Sequence, residues 1–383
     1  YEGTLSADGT EISGQLKQGP ATYPVTFKKT DKVPTLSRPQ DPQKPYPYVD
    51  EEVSYENKVD AVKLAGTLTL PKGPGPFPAV VLITGSGAQD RNETIAGHRP
   101  FMVLADHLTR LGIAVLRVDD RGMGGSGLGS ATATTENYAG DVLAGVEFLK
   151  NRKEIHPGKI GLIGHSEGGI IAPMAAIRSK DVSFIVLMAG TGLPGDEVIE
   201  LQTDLLLQAQ GTGEEGRKLT RDLFREIFAI LKGKDDSVTA EKRIRDTVAA
   251  QTAAMTDAQR KGMDPMLKLI DTQLQQFYLS NWFRFFLRFD PRPTLRKVQI
   301  PVLAITGERD LQVAPKANLD AITAALKEGG NKDHSVVLLP QLNHLFQTSR
   351  TGLITEYGTI EETISPIALK TMSDWILKHT PPK

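Results

Sequence analysis

The chain has 383 residues, of which 39% are hydrophobic and 24% charged, as in an ordinary globular protein. Its formal charge of −1 gives no field that would attract nucleic acid or an anionic membrane, and no apolar run reaches the roughly 20 residues that span a bilayer. Cysteine is absent, which excludes disulfides, thiolate metal sites and a cysteine nucleophile. These numbers predict neither a nucleic-acid partner nor a membrane span, and they say nothing about the oligomeric state.

The N-terminal region differs from the rest of the chain. Its first thirty residues alternate in short runs broken by Asp-Gly and Gly-Pro dipeptides, which predicts a small antiparallel β segment over 1–32. The segment 33–50 contains five prolines and predicts an extended linker.

From residue 51 onward, strand-like and helix-like segments alternate. Strands are expected in "VKLAGTLTL", in "PAVVLITG" and at 113–118, 159–163, 183–189, 301–307 and 335–340, and helices at 100–111, about 135–151, 167–178, 315–328 and about 365–378. Such alternation predicts an α/β fold with a mainly parallel sheet flanked by helices. The core would comprise 51–194 and 292–383, and the helix-period stretch 195–291 would be a helical cap inserted into it.

Residues Gly164 to Gly168 spell G-x-S-x-G between a strand-like run and a helix-like run. In that setting a serine sits in a tight, strained turn, and a Cβ two positions before or after it would collide with neighbouring backbone. We interpret Ser166 as a nucleophile; the alternative is a glycine-rich turn with an incidental serine.

A serine hydroxyl needs a base, and the chain has seven histidines. His165, adjacent to the serine, should point into packing. Four others lie in a helix, in a turn, at the start of a strand and in the tail: His107, His156, His334 and His379. His98 and His344 remain. His98 precedes a helix and is expected to be a structural hydrogen-bonder, whereas His344 follows the last strand and is the predicted base.

The imidazole needs a carboxylate that fixes its tautomer. The strand at 301–307 is followed by Glu308 and Asp310. Asp310 lies further out in the loop and is our choice, with Glu308 as the alternative. The resulting order, Ser166, Asp310, His344, is the one that α/β-hydrolases use.

A tetrahedral intermediate also needs two N–H donors. One is predicted to be the backbone N–H of Glu167, at the start of the helix after the nucleophile, and the other that of Ser86, with Gly87 as the second choice. A plain glycine-rich turn is the alternative for this loop. The glycines after residue 119 lack dinucleotide-binding spacing, and Asp120 and Arg121 are expected to form an ion pair.

These residues resemble a known family, the bacterial α/β-hydrolase esterases. The shared motifs are "GSGAQDR" (85–91), "DDRGMGGS" (119–126), "GHSEGG" (164–169), "GERDLQV" (307–313) and "LNHLFQ" (342–347). The resemblance implies the triad Ser166, Asp310 and His344 under a helical cap. Thr84 departs from the family, which usually has histidine there. The first thirty residues are similar to the end of an N-terminal β domain found in exported relatives, so an exported bacterial protein, periplasmic or extracellular, is expected, with a cytoplasmic location as the alternative.

The expected function is that of a serine carboxylesterase that hydrolyses small, short-chain acyl esters through an acyl-enzyme, without metal or organic cofactor. A serine peptidase of the prolyl-oligopeptidase type shares this core and is the first alternative; a non-catalytic binding protein that retains the fold is the second. The aromatic stretch 277–289 is expected to pack between cap and core, with an acyl-contacting wall as the other possibility.

Overall fold

A computed structural model describes residues 2–18, 21–30 and 37–381, and the chain divides into two compact units at Ser37. The first unit is a three-stranded antiparallel sheet formed by β1 (Glu2–Leu5), β2 (Glu11–Gln18) and β3 (Ala21–Lys28), in that order. The antiparallel β segment predicted from the sequence is therefore confirmed.

The second unit is built on an eight-stranded sheet. Its strands are β4 (Val49–Asn57), β5 (Val62–Leu70), β6 (Phe77–Ile83), β7 (Ala114–Val118), β8 (Ile155–His165), β9 (Val182–Met188), β10 (Val302–Gly307) and β11 (His334–Leu339). Their order is β11-β10-β9-β8-β6-β7-β5-β4, and all pairs from β11 to β7 are parallel, whereas β5 and β4 are antiparallel. The central strands are continuously apolar because both of their faces are covered.

Helices cover both faces of this sheet. They are α1 (Pro100–Arg110), α2 (Thr135–Lys150), α3 (Gly168–Ala176), α9 (Arg292–Leu295), α10 (Pro315–Glu328) and α11 (Pro366–His379), with a 3-10 segment at Ile354–Thr359. One apolar cluster joins α2, α3 and α10 to the sheet, and a second cluster on the other face joins α1 and α11. The predicted α/β fold, a mainly parallel sheet flanked by helices, is confirmed.

A helical insertion connects β9 to β10. It contains α4 (Gly195–Ala209), α5 (Glu214–Lys232), α6 (Ser237–Ala254), α7 (Asp257–Gln273), a π-helical turn (Leu274–Tyr278) and α8 (Asn281–Arg288). These helices have an apolar cluster of their own. The two ends of the insertion meet, since the N–H of Gly195 donates to the carbonyl of Phe289 at 3.2 Å.

Two features differ from the sequence-based expectation. Strand β4, "VDEEVSYEN", is too polar to stand out by hydrophobicity, because it is an edge strand with one half-buried face. The described part of the proline-rich stretch is tied to the core instead of bridging freely: Gln40 accepts the N–H groups of Thr363 and Ile364, and Asp41 pairs with Arg99. In the part of the chain that the structure describes, no helix is both long and apolar enough to cross a membrane.

Candidate active site

Ser166 lies in the sharp turn between β8 and α3. Its φ is +53°, a left-handed conformation that is strained for serine, and its N–H donates to the carbonyl of Met188 at 2.8 Å. A Cβ on Gly164 would lie 2.0 Å from the Gly168 carbonyl oxygen, and one on Gly168 would lie 2.4 Å from that of Ile83. Both glycines are therefore required for the steric reason predicted from the sequence.

His344 and Asp310 form a buried pair in the loops after β11 and β10. The distance from His344 Nδ1 to Asp310 Oδ2 is 2.8 Å, and Asp310 Oδ1 accepts the N–H groups of Gln312 and Val313 at 2.8 and 2.9 Å. The carboxylate thereby holds the proton of His344 on Nδ1 and leaves Nε2 as the basic nitrogen. Glu308, the alternative acid, instead accepts a backbone N–H of the loop after β11.

A cavity of about 410 Å³ joins these residues, since Ser166 and His344 both line it. Ser86, Gly87 and Glu167 line the same cavity. Within the described residues, the backbone N–H groups of Ser86 and Glu167 have no acceptor. The Gly85 backbone lies against Ser166, because a Cβ built there would be 3.2 Å from Ser166 Cβ.

The side chain of Glu167 has a different role from its backbone. It is buried, and its Oε1 accepts both Thr135 Oγ1 and Trp282 Nε1 at 2.7 Å. Burial raises the pKa of Glu167. Trp282 belongs to α8, so this carboxyl ties the helical insertion to the nucleophile turn, a contact that the aromatic composition of 277–289 signalled only in general terms.

A second histidine–carboxylate pair, missed by the sequence analysis, lies behind the first. His165 Nδ1 is 2.8 Å from Glu93 Oε1, and His165 Nε2 is 3.0 Å from the carbonyl oxygen of His344. Glu93 Oε1 also accepts the N–H of Gly85 at 2.7 Å. Because both ring nitrogens of His165 face acceptors, a doubly protonated ring would satisfy both contacts. Burial alone would lower the pKa of His165, but the charge and hydrogen bond of Glu93 outweigh it and raise the pKa.

The expected Asp120–Arg121 ion pair is wrong. Arg121 instead pairs with Asp60 and Asp141, each at 2.5 Å. Asp120 accepts Thr84 Oγ1 at 2.8 Å, and its burial raises its pKa to about 7. Thr84, the departure from the family pattern, thus holds a carboxyl beside the site.

His98 is a structural hydrogen-bonder, as predicted: its ring contacts Thr363 Oγ1 at 2.9 Å and the Tyr357 carbonyl at 2.8 Å. Among the residues that the structure describes, no group of three or more histidine, aspartate or glutamate side chains could hold a metal ion.

The fold and the serine turn beside a buried His–Asp pair define the α/β-hydrolase class. A fungal α/β hydrolase, GrgF from Penicillium sp. sh18, superposes with a TM-score of 0.52 at 15% identity, covering 86% of this chain and 99% of its own. The hypothetical protein PA2218 of Pseudomonas aeruginosa gives a TM-score of 0.52 at 17% identity, covering 92% and 100%. The predicted fold class is thus confirmed.

The chain belongs to the X-Pro dipeptidyl-peptidase (S15) family, whose model matches residues 60–345. Among characterised relatives, Esterase EstD of Thermotoga maritima is 29% identical over 349 residues, which are 90% of this chain and 71% of EstD. The resemblance to bacterial esterases and the expectation of a hydrolase are confirmed.

Proposed function

We propose that the protein is a serine carboxylesterase that acts through an acyl-enzyme. The observation that carries this proposal is the buried 2.8 Å contact between His344 and Asp310, on a cavity that Ser166 also lines. The relationship to EstD favours ester substrates within the hydrolase class.

The chemistry follows from these positions. Ser166 Oγ attacks the acyl carbon while His344 Nε2 takes the hydroxyl proton, and Asp310 stabilises the imidazolium that forms. The oxyanion accepts the N–H groups of Ser86 and Glu167. When the intermediate collapses, the C–O bond to the alcohol breaks and His344 protonates the alcohol; water then attacks the acyl-serine by the same route and releases the acid.

The cavity supports small esters. Its volume of about 410 Å³ lies near the lower end of ligand pockets in general, which suits a short acyl chain. Trp282 and Phe286 of the helical insertion line it together with Ser166 and Glu167, so the insertion acts as a cap.

The family's description favours a second candidate, a serine peptidase that removes dipeptides. Such an enzyme needs free carboxylates to bind the substrate's amino terminus. Glu93 and Glu167, the two carboxylates among the described residues that line the cavity, are buried and already bonded to His165 and to Trp282. We therefore favour the esterase.

The test compares p-nitrophenyl butanoate with an Xaa-Pro p-nitroanilide. We expect burst release of p-nitrophenol from the ester, abolished in Ser166→Ala and retained in Ser130→Ala, a change at an exposed serine. Faster turnover of the anilide than of the ester would establish the peptidase instead. Failure to turn over either substrate would contradict both.

A further inference from the structure

The helical insertion contains a second cavity, larger than the catalytic one. Its volume is about 970 Å³, and α4, α5 and α7 form its walls. Four side chains line both cavities: Ile199, Gln202, Phe277 and Phe283. The two cavities therefore adjoin, and these side chains are the boundary between them. We call the larger cavity the insertion chamber.

The walls of the insertion chamber are mostly apolar, with uncharged glutamine and threonine side chains among them. One face of helix α4 lines the chamber with three apolar and three uncharged polar side chains: Ile199, Leu206 and Leu207, and Gln202, Thr203 and Gln210. Leu219 of α5 and Met266 of α7 line the chamber with this face. Among the described lining residues Glu215 alone is charged, and it is exposed and bonded to Gln259. The chamber therefore suits an uncharged hydrocarbon group and disfavours a charged one.

The length of the chamber sets the size of its occupant. From Ile199 to Gln210, the face of α4 extends for about 16 Å at the helical rise. An extended chain of single bonds spans about 1.2 Å per bond, as the reach of a polypeptide backbone shows. A straight chain of about 13 bonds therefore fits along this face, which is longer than the chain of a decanoyl group.

We propose that the insertion chamber binds the acyl chains that are too long for the catalytic cavity, so that the enzyme also hydrolyses esters of medium-chain fatty acids. This inference rests on the proposed esterase function and extends its substrate range. The chain would pass between Ile199 and Phe277, and Phe277, 37% exposed, is the boundary side chain with room to move. Burial of each further methylene would raise kcat/KM by up to about fourfold.

The experiment measures kcat/KM for p-nitrophenyl esters from acetate to decanoate, below their micelle concentrations. In the wild-type enzyme we expect kcat/KM to continue rising beyond butanoate. Met266→Trp and Leu219→Trp place indole rings in the chamber, and we expect each to lower the decanoate-to-acetate ratio by at least tenfold. Two variants on different helices guard against the misfolding of one.

The matched control is Lys268→Trp, which adds the same side chain to α7 at a position 63% exposed. We expect it to keep the wild-type ratio. The proposed acyl-binding role of the chamber would be refuted if the wild-type kcat/KM fell beyond butanoate, or if the decanoate-to-acetate ratio were the same in all variants. In either case the proposed esterase function would stand, provided that Ser166-dependent hydrolysis of short esters is observed. If the wild-type enzyme shows no Ser166-dependent hydrolysis of short esters, the proposed function itself is rejected.

Discussion

The Glu93–His165 pair offers the most direct test of how the site is assembled. A single oxygen, Glu93 Oε1, accepts both the Gly85 N–H and His165 Nδ1. In Glu93→Gln the amide oxygen can occupy the same place, so the substitution removes the charge and keeps the shape. The pKa of His165 then falls, the ring loses one proton, and one of its two hydrogen bonds is lost.

The magnitude follows from the burial of this pair. The side chains of Glu93 and His165 are 5% and 6% exposed, and breaking such a pair costs about 3–5 kcal/mol when the remaining charge is trapped. Here the imidazolium can release its proton, so the cost is that of one unsatisfied buried hydrogen bond, about 1–3 kcal/mol. The lost bond can be the one to the His344 carbonyl, which helps to position that residue. We therefore also expect kcat to fall about tenfold, which is less than the roughly 100-fold loss expected when a catalytic group is misplaced by about 1 Å.

The direction in which this stabilisation changes with pH follows from the raised pKa of His165. The stabilisation is complete below the unfolded pKa of about 6.5 and is lost as the pH rises through the higher folded pKa. The difference in unfolding free energy between wild type and Glu93→Gln should therefore shrink from pH 6 to pH 9. Glu328→Gln, which breaks an exposed pair with Arg296, is the control and should change stability by less than about 1 kcal/mol.

The direct assay is ¹⁵N NMR of labelled histidine. At pH 7 we expect one histidine with both ring nitrogens protonated, assigned by its disappearance in His165→Gln and converted to a neutral ring in Glu93→Gln. A neutral His165 in the wild-type protein at pH 7 would refute the reasoning from the two acceptors.

Three further changes test other parts of the structure. Asp310→Asn should lower kcat by about 10³–10⁴-fold with little change in KM, because an amide favours the wrong imidazole tautomer; steady-state kinetics that show a loss of less than tenfold would argue against this acid. Gly168→Ala should destabilise the protein by about 1–3 kcal/mol in urea unfolding, since its Cβ would meet the Ile83 carbonyl oxygen at 2.4 Å, whereas Gly262→Ala, with nothing within 4 Å, should be neutral or stabilising. Because the pKa of Asp120 is raised to about 7, the wild-type protein should lose stability as the pH rises from about 4 to 7. The unfolding free energy of Asp120→Asn, measured relative to wild type, should therefore increase between pH 5 and pH 8. A constant difference would show that this carboxyl does not titrate in that range.

The core of this fold was predictable from the sequence because its signals are local. Continuous apolar runs mark the buried parallel strands, and Ser166, Asp310 and His344 each follow such a run. The carboxyl ends of parallel strands meet at one edge of a sheet, so position along the chain is enough to bring the three residues together.

The features that were not predictable depend on distant partners. Arg121 bonds to Asp60 and Asp141, not to its neighbour in sequence, because the fold brings three separate segments together. Glu93 lies in a polar loop without periodicity, and only the folded chain shows that it faces His165. Strand β4 was missed because an edge strand needs only one apolar face.

The meeting of the two ends of the insertion has a consequence for how the protein can change. Strands β9 and β10 are neighbours in the sheet, with Ile185 opposite Val302, although the whole insertion separates them in the chain. Because Gly195 is bonded to Phe289 at its base, the insertion leaves and rejoins the core at one point, and the segment after Phe289 completes the crossover that the parallel strands β9 and β10 require. The helices of the insertion can therefore be lengthened, shortened or exchanged with little effect on the strand register. The replacement must again form the hydrogen bond between the two ends of the insertion and keep an indole within hydrogen-bond distance of Glu167. Substrate range and scaffold can thus evolve separately in this architecture.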